Sequence, residues 1–206
     1  MNMEIIGVPS NWGTELKQKH ITVLERNHRL VVLFPGRNYP CEMPALYYAG
    51  NTAIQYQYDL LILEYGYQAA RSHLDLQDLP RVIDECSESI QRIVDRYDEV
   101  VFISKSLGTV VAGEVHCKLQ RPIRHLFLTP LIETIPFINR SCGIVIYGSN
   151  DPFFKPEDAG RIDLSGDIRR IEIPNADHAF ETGDVQENIA ILQRLAKTYG
   201  EFLSWN

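Results

Sequence analysis

The chain is short of cationic side chains, of paired cysteines and of long apolar runs, and each shortage removes a class of protein. Lysine and arginine total 20 against 27 aspartates and glutamates, a formal net charge of −7. Sequence-independent nucleic-acid binding needs a basic footprint that displaces counterions from phosphates, so no nucleic-acid partner is expected. An anionic membrane surface is disfavoured on the same ground. No apolar stretch approaches the roughly 20 residues that a membrane-spanning helix requires, and the opening MNMEIIGVPSNWG lacks the basic and apolar regions of a secretory leader. The four cysteines, Cys41, Cys86, Cys117 and Cys142, are far apart and form no C-x-x-C pair. That excludes the common zinc spacings and the thioredoxin-like motif. Also absent are linkers rich in Gly, Ser or Pro, internal repeats and low-complexity stretches, so residues 1–206 read as one domain. Neither G-x-x-x-x-G-K-[ST] nor G-x-G-x-x-G follows an apolar run, which removes the common nucleotide-phosphate cradles. A soluble, cytoplasmic protein without membrane contact is the expectation.

What is present is a regular alternation. Apolar residues make up 45 % of the chain and charged residues 23 %, ordinary values for a globular chain long enough to bury one sizeable core. Short apolar runs stand at Leu30–Phe34, Leu60–Glu64, Val100–Ser104, His125–Thr129 and Gly143–Tyr147, with a more alternating run at Arg170–Ile173. The first five are dense in Val, Ile, Leu and Phe without clean alternation, as expected of parallel strands covered on both faces. The sixth alternates and fits an edge strand. Between the runs lie segments with helical periodicity: Met43–Tyr58, Asp78–Asp95, Gly108–Lys118 and Gln186–Tyr199. The second is the clearest, with Leu79, Val82, Ile83, Cys86, Ile90, Ile93 and Val94 at three- and four-residue steps, Pro80 in the first turn and Asp78 as a candidate cap. The last places Ile189, Leu192 and Leu195 on one face. Met3–Val8 and Ile21–Leu24 are candidate antiparallel strands at the sheet edge. The pattern predicts an α/β fold with a doubly wound, mostly parallel sheet.

The segment Val100–Gly113, VVFISKSLGTVVAG, carries the first chemical signal. An apolar strand runs into Ser104-Lys105-Ser106-Leu107-Gly108 and then into a helix of small residues. A serine on so sharp a strand-to-helix turn projects its Oγ above the sheet edge, next to the positive end of a helix. The residues two before and two after it must be small, because strand and helix nearly touch. Here those residues are Ser104 and Gly108, so the motif reads S-x-S-x-G. Ser106 is the candidate nucleophile and Ser104 the weaker one.

This strand–turn–helix resembles the nucleophile elbow of the α/β-hydrolase superfamily, and the resemblance extends from about Arg29 to the C-terminus. The family's chain order is Ser, then Asp or Glu, then His. After Ser106, the run ending at Tyr147 leads into Gly148-Ser149-Asn150-Asp151-Pro152, which resembles the family's acid loop. The run ending at Ile173 leads into Pro174-Asn175-Ala176-Asp177-His178, which resembles its histidine loop. The resemblance therefore implies Asp151 as the acid and His178 as the base; Glu133 ranks second for the acid, and Asp177 reads as loop hydrogen bonding. It also implies an oxyanion hole from the backbone N–H of Leu107 and a second N–H in Pro35-Gly36-Arg37-Asn38, at Arg37 first and Asn38 next. No cofactor or metal is implied. Only residues 130–142 separate two of the strands, which leaves room for one short helix and no cap domain. The implied activity is hydrolysis of a small-molecule ester or thioester through an acyl-enzyme; the alternative is a binding module on the same scaffold. Arg37 and Lys105 stand in the presumed site loops, either facing an acidic substrate or paired with a carboxylate. Tyr39, Tyr65, Tyr67, Phe153, Phe154 and Phe180 are candidates for the wall of an apolar acyl pocket.

Overall fold

Five of the eight strands are short apolar runs covered on both faces, and they lie side by side as the pattern predicts. The computed structural model describes residues 1–205. The elements are β1 (Asn2–Pro9), β2 (Glu15–Thr22), β3 (Arg29–Phe34), α1 (Pro44–Gln55), β4 (Asp59–Ile62), α2 (Gly66–Ala69), α3 (Leu79–Gln91), β5 (Glu99–Lys105), α4 (Leu107–Leu119), β6 (Arg124–Leu128), α5 (Ile135–Ile138), β7 (Cys142–Gly148), α6 (Pro156–Ala159), β8 (Ile168–Ile173) and α7 (Val185–Leu203). One sheet runs in the order β1-β2-β4-β3-β5-β6-β7-β8. β1 and β2 form an antiparallel hairpin, β2 meets β4 antiparallel, and all other neighbours are parallel.

Helices cover both faces. On one, Leu30, Val32, Phe34, Val100 and Phe102 pack against Val82, Cys86 and Ile90 of α3 and Val111 and Val115 of α4. On the other, Val31, Leu33, Val101, Ile103, Leu126 and Ile144 pack against Ala45, Leu46 and Ala49 of α1 and Leu195, Tyr199 and Phe202 of α7. Consecutive residues of β3 and β5 thus enter opposite cores, which is why these strands do not alternate. β8, at the edge, buries Ile168, Ile171 and Ile173 and exposes Arg169, Arg170 and Glu172.

Three local expectations are corrected. The second antiparallel strand is Glu15–Thr22, not Ile21–Leu24. Its inward residues after Leu16 are Gln18 and His20, both fully buried, so apolar periodicity does not reveal it. Gln18 Nε2 donates to Glu64 O at 3.0 Å and Gln18 Oε1 accepts from Glu64 N at 2.7 Å, while His20 Nε2 lies 2.7 Å from the Tyr97 hydroxyl and its Nδ1 has no hydrogen-bond partner among the described residues. Asp78 makes no side-chain cap on α3; it pairs instead with Arg81 at 2.9 Å. Ile189 of α7 faces solvent, and the buried stripe runs through Ile191, Leu195, Thr198, Tyr199 and Phe202. The cap of α7 is Asp184, whose Oδ1 accepts from Gln186 N at 2.8 Å and Glu187 N at 3.0 Å. Among the described residues, no helix is long and apolar enough to cross a membrane.

Candidate active site

β5 delivers the chain to Ser106, whose backbone adopts φ 53° and ψ −123°. A non-glycine residue held there stores about 1–3 kcal/mol, and only a surrounding structure that over-determines it keeps it in place. That structure is visible. Ser106 N donates to Leu128 O at 3.0 Å, and Ser106 O accepts from Thr109 N at 2.8 Å and Thr109 Oγ1 at 2.7 Å. Close approach explains the small residues of the motif. A Cβ on Gly108 would stand 2.5 Å from Pro35 O and 2.7 Å from Phe34 O, and one on Gly36 would stand 3.4 Å from Ser106 Cβ. Ser104 is fully buried in β5, and its Oγ has no hydrogen-bond partner among the described residues.

The acid and base loops leave neighbouring strands, β7 and β8, at the same sheet edge. A Cβ on Gly148 would meet Ala176 O at 2.1 Å, so the two loops are in contact through backbone. Asp151 is 1 % exposed, and its Oδ1 accepts from Phe153 N at 2.8 Å, which fixes the carboxylate. Its Oδ2 lies 2.8 Å from His178 Nδ1, and His178 Nε2 lies 2.7 Å from Ser106 Oγ. The acceptor-only carboxylate assigns the proton to Nδ1, leaving Nε2 to accept from the serine hydroxyl. Asp151, His178 and Ser106 therefore form one continuous hydrogen-bonded chain. Asp177 turns back into its own loop, where Oδ1 accepts from Ala179 N at 2.7 Å and Glu181 N at 2.9 Å. Glu133 is exposed on the turn before α5 and makes no hydrogen bond to His178 among the described residues.

The loop after β3 is held by three consecutive carbonyls. Pro35 O accepts from Tyr65 Oη at 2.8 Å, Gly36 O from Gln68 Nε2 at 2.9 Å and Arg37 O from Tyr67 Oη at 2.8 Å. A trans peptide is planar, with its N–H opposed to its C=O. Anchoring Gly36 O toward α2 thus turns the Arg37 N–H the other way. Among the described residues, neither the Arg37 nor the Leu107 amide donates to a protein acceptor. The braces Tyr65, Tyr67 and Gln68 were not assigned this role from sequence. They lie about thirty residues away on a four-residue helix, and no local pattern marks them.

Arg37 and Lys105 each donate to neutral oxygen acceptors rather than to a carboxylate. Arg37 Nη2 donates to Leu74 O at 2.8 Å. Lys105 is 1 % exposed and donates to Thr129 Oγ1 and His178 O, each at 2.6 Å. Among the described residues neither side chain pairs with a carboxylate, and Lys105 is sealed from solvent. Burial pushes its ammonium down to about 7, against the opposing pull of Asp151 and Asp177. Of the six aromatics proposed as a pocket wall, Tyr65, Tyr67, Phe154 and Phe180 are core residues. Phe153 is 57 % exposed and sits edge-on to the His178 ring at 4.9 Å; Tyr39 is half-buried beside Lys105. A cavity of about 560 Å³ borders Arg37 and Asn38, lined also by Lys17, Lys19, Arg71 and His73.

With this geometry in view, the likeness to known proteins is one of fold. No family model matches the chain, and no curated protein matches it in sequence. Solved structures do. The ferulic acid complex of Est1E from Butyrivibrio proteoclasticus superposes with a TM-score of 0.74 at 10 % identity, covering 96 % of this chain and 97 % of that one. XC6422 from Xanthomonas campestris, an α/β serine hydrolase without a lid, gives 0.68 at 12 % identity over 100 % and 97 %. Dienelactone hydrolase from Anabaena variabilis gives 0.68 at 13 % identity over 98 % of each chain. The chain has the α/β-hydrolase fold in its lidless form: between β6 and β7 lie only a short turn and the four-residue α5.

Proposed function

We propose that this protein is a serine hydrolase that cleaves a small-molecule ester or thioester through an acyl-enzyme on Ser106. The observation that carries the reading is the hydrogen-bonded chain from Asp151 Oδ2 through His178 to Ser106 Oγ, with links of 2.8 and 2.7 Å. His178 Nε2 takes the proton as Ser106 Oγ attacks the carbonyl carbon. The new imidazolium is stabilised by the buried carboxylate of Asp151, which itself stays ionised. The carbonyl oxygen gains charge facing the Leu107 and Arg37 amides, donors of the kind worth about 3 kcal/mol each in an acyl-transfer site. Because the Arg37 amide is pre-set by Gln68 on Gly36 O, it needs no reorganisation when the charge appears. His178 then gives its proton to the leaving alcohol or thiol. In the second half it deprotonates water, which attacks the acyl carbon and releases Ser106.

The test is hydrolysis of a short-chain p-nitrophenyl ester series together with fluorophosphonate labelling, wild type beside Ser106→Ala. Turnover and labelling lost in the variant are expected. A folded wild type that neither turns over nor labels would overturn the reading in favour of a binding module, and activity retained in Ser106→Ala would move the nucleophile elsewhere.

A further inference from the structure

The residue between the two serines of the turn is a buried amine that the acyl-transfer steps leave unused. Lys105 is the last residue of β5, and its side chain returns into the protein beneath the catalytic loops. Nζ donates to Thr129 Oγ1, at the end of β6, and to the carbonyl oxygen of His178 itself, each at 2.6 Å. It lies 4.6 Å from the centre of the Tyr39 ring, in the oxyanion loop, and 5.4 Å from that of Phe180, in the histidine loop. One atom thus touches three of the loops that compose the site. Thr129 is held at φ 39°, where a β-branched residue is a clear outlier, so the acceptor beside Lys105 sits in a backbone that the chain does not adopt for local reasons.

We propose that Lys105 is a positioning residue that acts through the main chain of His178: its Nζ–H groups hold the histidine loop onto the end of β6, and so set where the imidazole meets Ser106 Oγ. A base misplaced by about 1 Å can cost on the order of a hundredfold in rate. The hydrogen bond from Lys105 Nζ to the carbonyl oxygen of the same residue is therefore a sensitive place to fix it. A buried amine with no carboxylate in contact is costly to keep. Packing alone is served by methionine, which is of similar length and apolar, so the donors are the feature that a positioning role explains. The inference rests on the hydrolase reading for its consequence on rate, and on the loop geometry for its structural content.

The test compares wild type, Lys105→Met and Thr129→Val, the second variant keeping the amine and the side-chain shape while removing one acceptor. Two readouts are taken: kcat and KM on a p-nitrophenyl ester, and hydrogen exchange at the loop amides of Asp177, Ala179 and Phe180, which are hydrogen-bonded inside the histidine loop. Lys105→Met is expected to lower kcat at least tenfold with KM within twofold, and to speed exchange at those three amides at least tenfold while the sheet stays protected. Thr129→Val is expected to lower kcat about threefold in the same sense. A Lys105→Met protein with kcat within twofold of wild type and unchanged loop exchange overturns the proposal. So does a loss spread evenly over kcat, KM and exchange throughout the sheet. If Lys105→Met fails to fold, Thr129→Val decides, and no change in either readout overturns the proposal. A wild type with no turnover sinks the hydrolase reading alone, since loop exchange still measures the clamp.

Discussion

Ser104 and Ser106 stand two residues apart in opposite surroundings. Ser106 is partly exposed, strained at φ 53° and 2.7 Å from an imidazole nitrogen. Ser104 is buried, in regular strand geometry, with an unpartnered hydroxyl. A buried hydroxyl without a partner costs roughly 1–3 kcal/mol. Ser104→Ala is therefore predicted to raise stability by about 1 kcal/mol and to leave kcat within twofold, checked by urea denaturation and ester turnover; a large loss of labelling would mean that Ser104 takes part in the chemistry. Asp151→Asn is predicted to lower kcat by about 10³–10⁴ with the fold retained, because an amide no longer fixes the imidazole tautomer. The positions of Ser106, Asp151 and His178 were legible because each follows an apolar run in a short loop of distinct composition. The contacts of Lys105 were not. They depend on how far a long side chain reaches between loops that meet only in the folded chain.

At the scale of elements, each loop of the site is held by a neighbour remote in sequence. The four-residue α2 supplies Gln68, whose amide closes on Gly36 O, and Tyr67 on Arg37 O, while Tyr65, just before α2, closes on Pro35 O. Gln68→Leu removes the bond that orients the Gly36–Arg37 peptide while filling similar space. It is predicted to lower kcat about tenfold with little change in KM, since in the proposed mechanism the bond acts on a donor used mainly in the transition state; equal loss in binding of a neutral substrate analogue would argue against that role. Gly148→Ala tests the contact between β7 and β8. The added methyl would stand 2.1 Å from Ala176 O, and because the obstacle is backbone, the two loops must part. A loss of about 2–3 kcal/mol, within the range of severe single substitutions, is expected in denaturant melts together with lost activity. The parallel strands were legible because burial on both faces leaves them uninterrupted apolar runs. β2 was not, because two of its inward residues, Gln18 and His20, are polar and reach buried hydrogen-bond partners, which apolar periodicity does not mark.

Over the whole molecule, buried bases and buried phenols set how stability depends on pH. Burial holds His125 well below its ordinary value, with His20 and His116 lowered for the same reason. Burial brings Lys105 down to about 7, against about 10.4 in an unfolded chain. In both cases the unfolded state binds more protons than the folded state, so stability rises with pH. The histidines act as pH climbs toward about 6.5, and Lys105 acts between about 7 and about 10.4. The buried tyrosines work in the opposite direction. Burial first, and Glu99 and Glu172 beside them, push Tyr58 and Tyr147 up to about 12. Above pH 10 the unfolded phenols ionise while the folded ones resist, and stability falls. The predicted profile is a dome with its maximum on the alkaline side, near pH 9–10, measured as the urea unfolding free energy from pH 5 to 11. Lys105 accounts for up to about 5 kcal/mol of the rise above pH 7, at about 1.4 kcal/mol per pH unit of displacement. Lys105→Met should flatten that limb and leave the histidine limb below pH 6.5 in place. A maximum at or below pH 7 in the wild type, or an unchanged upper limb in the variant, would show that folded Lys105 keeps its proton between about pH 7 and 10, against the effect of its burial.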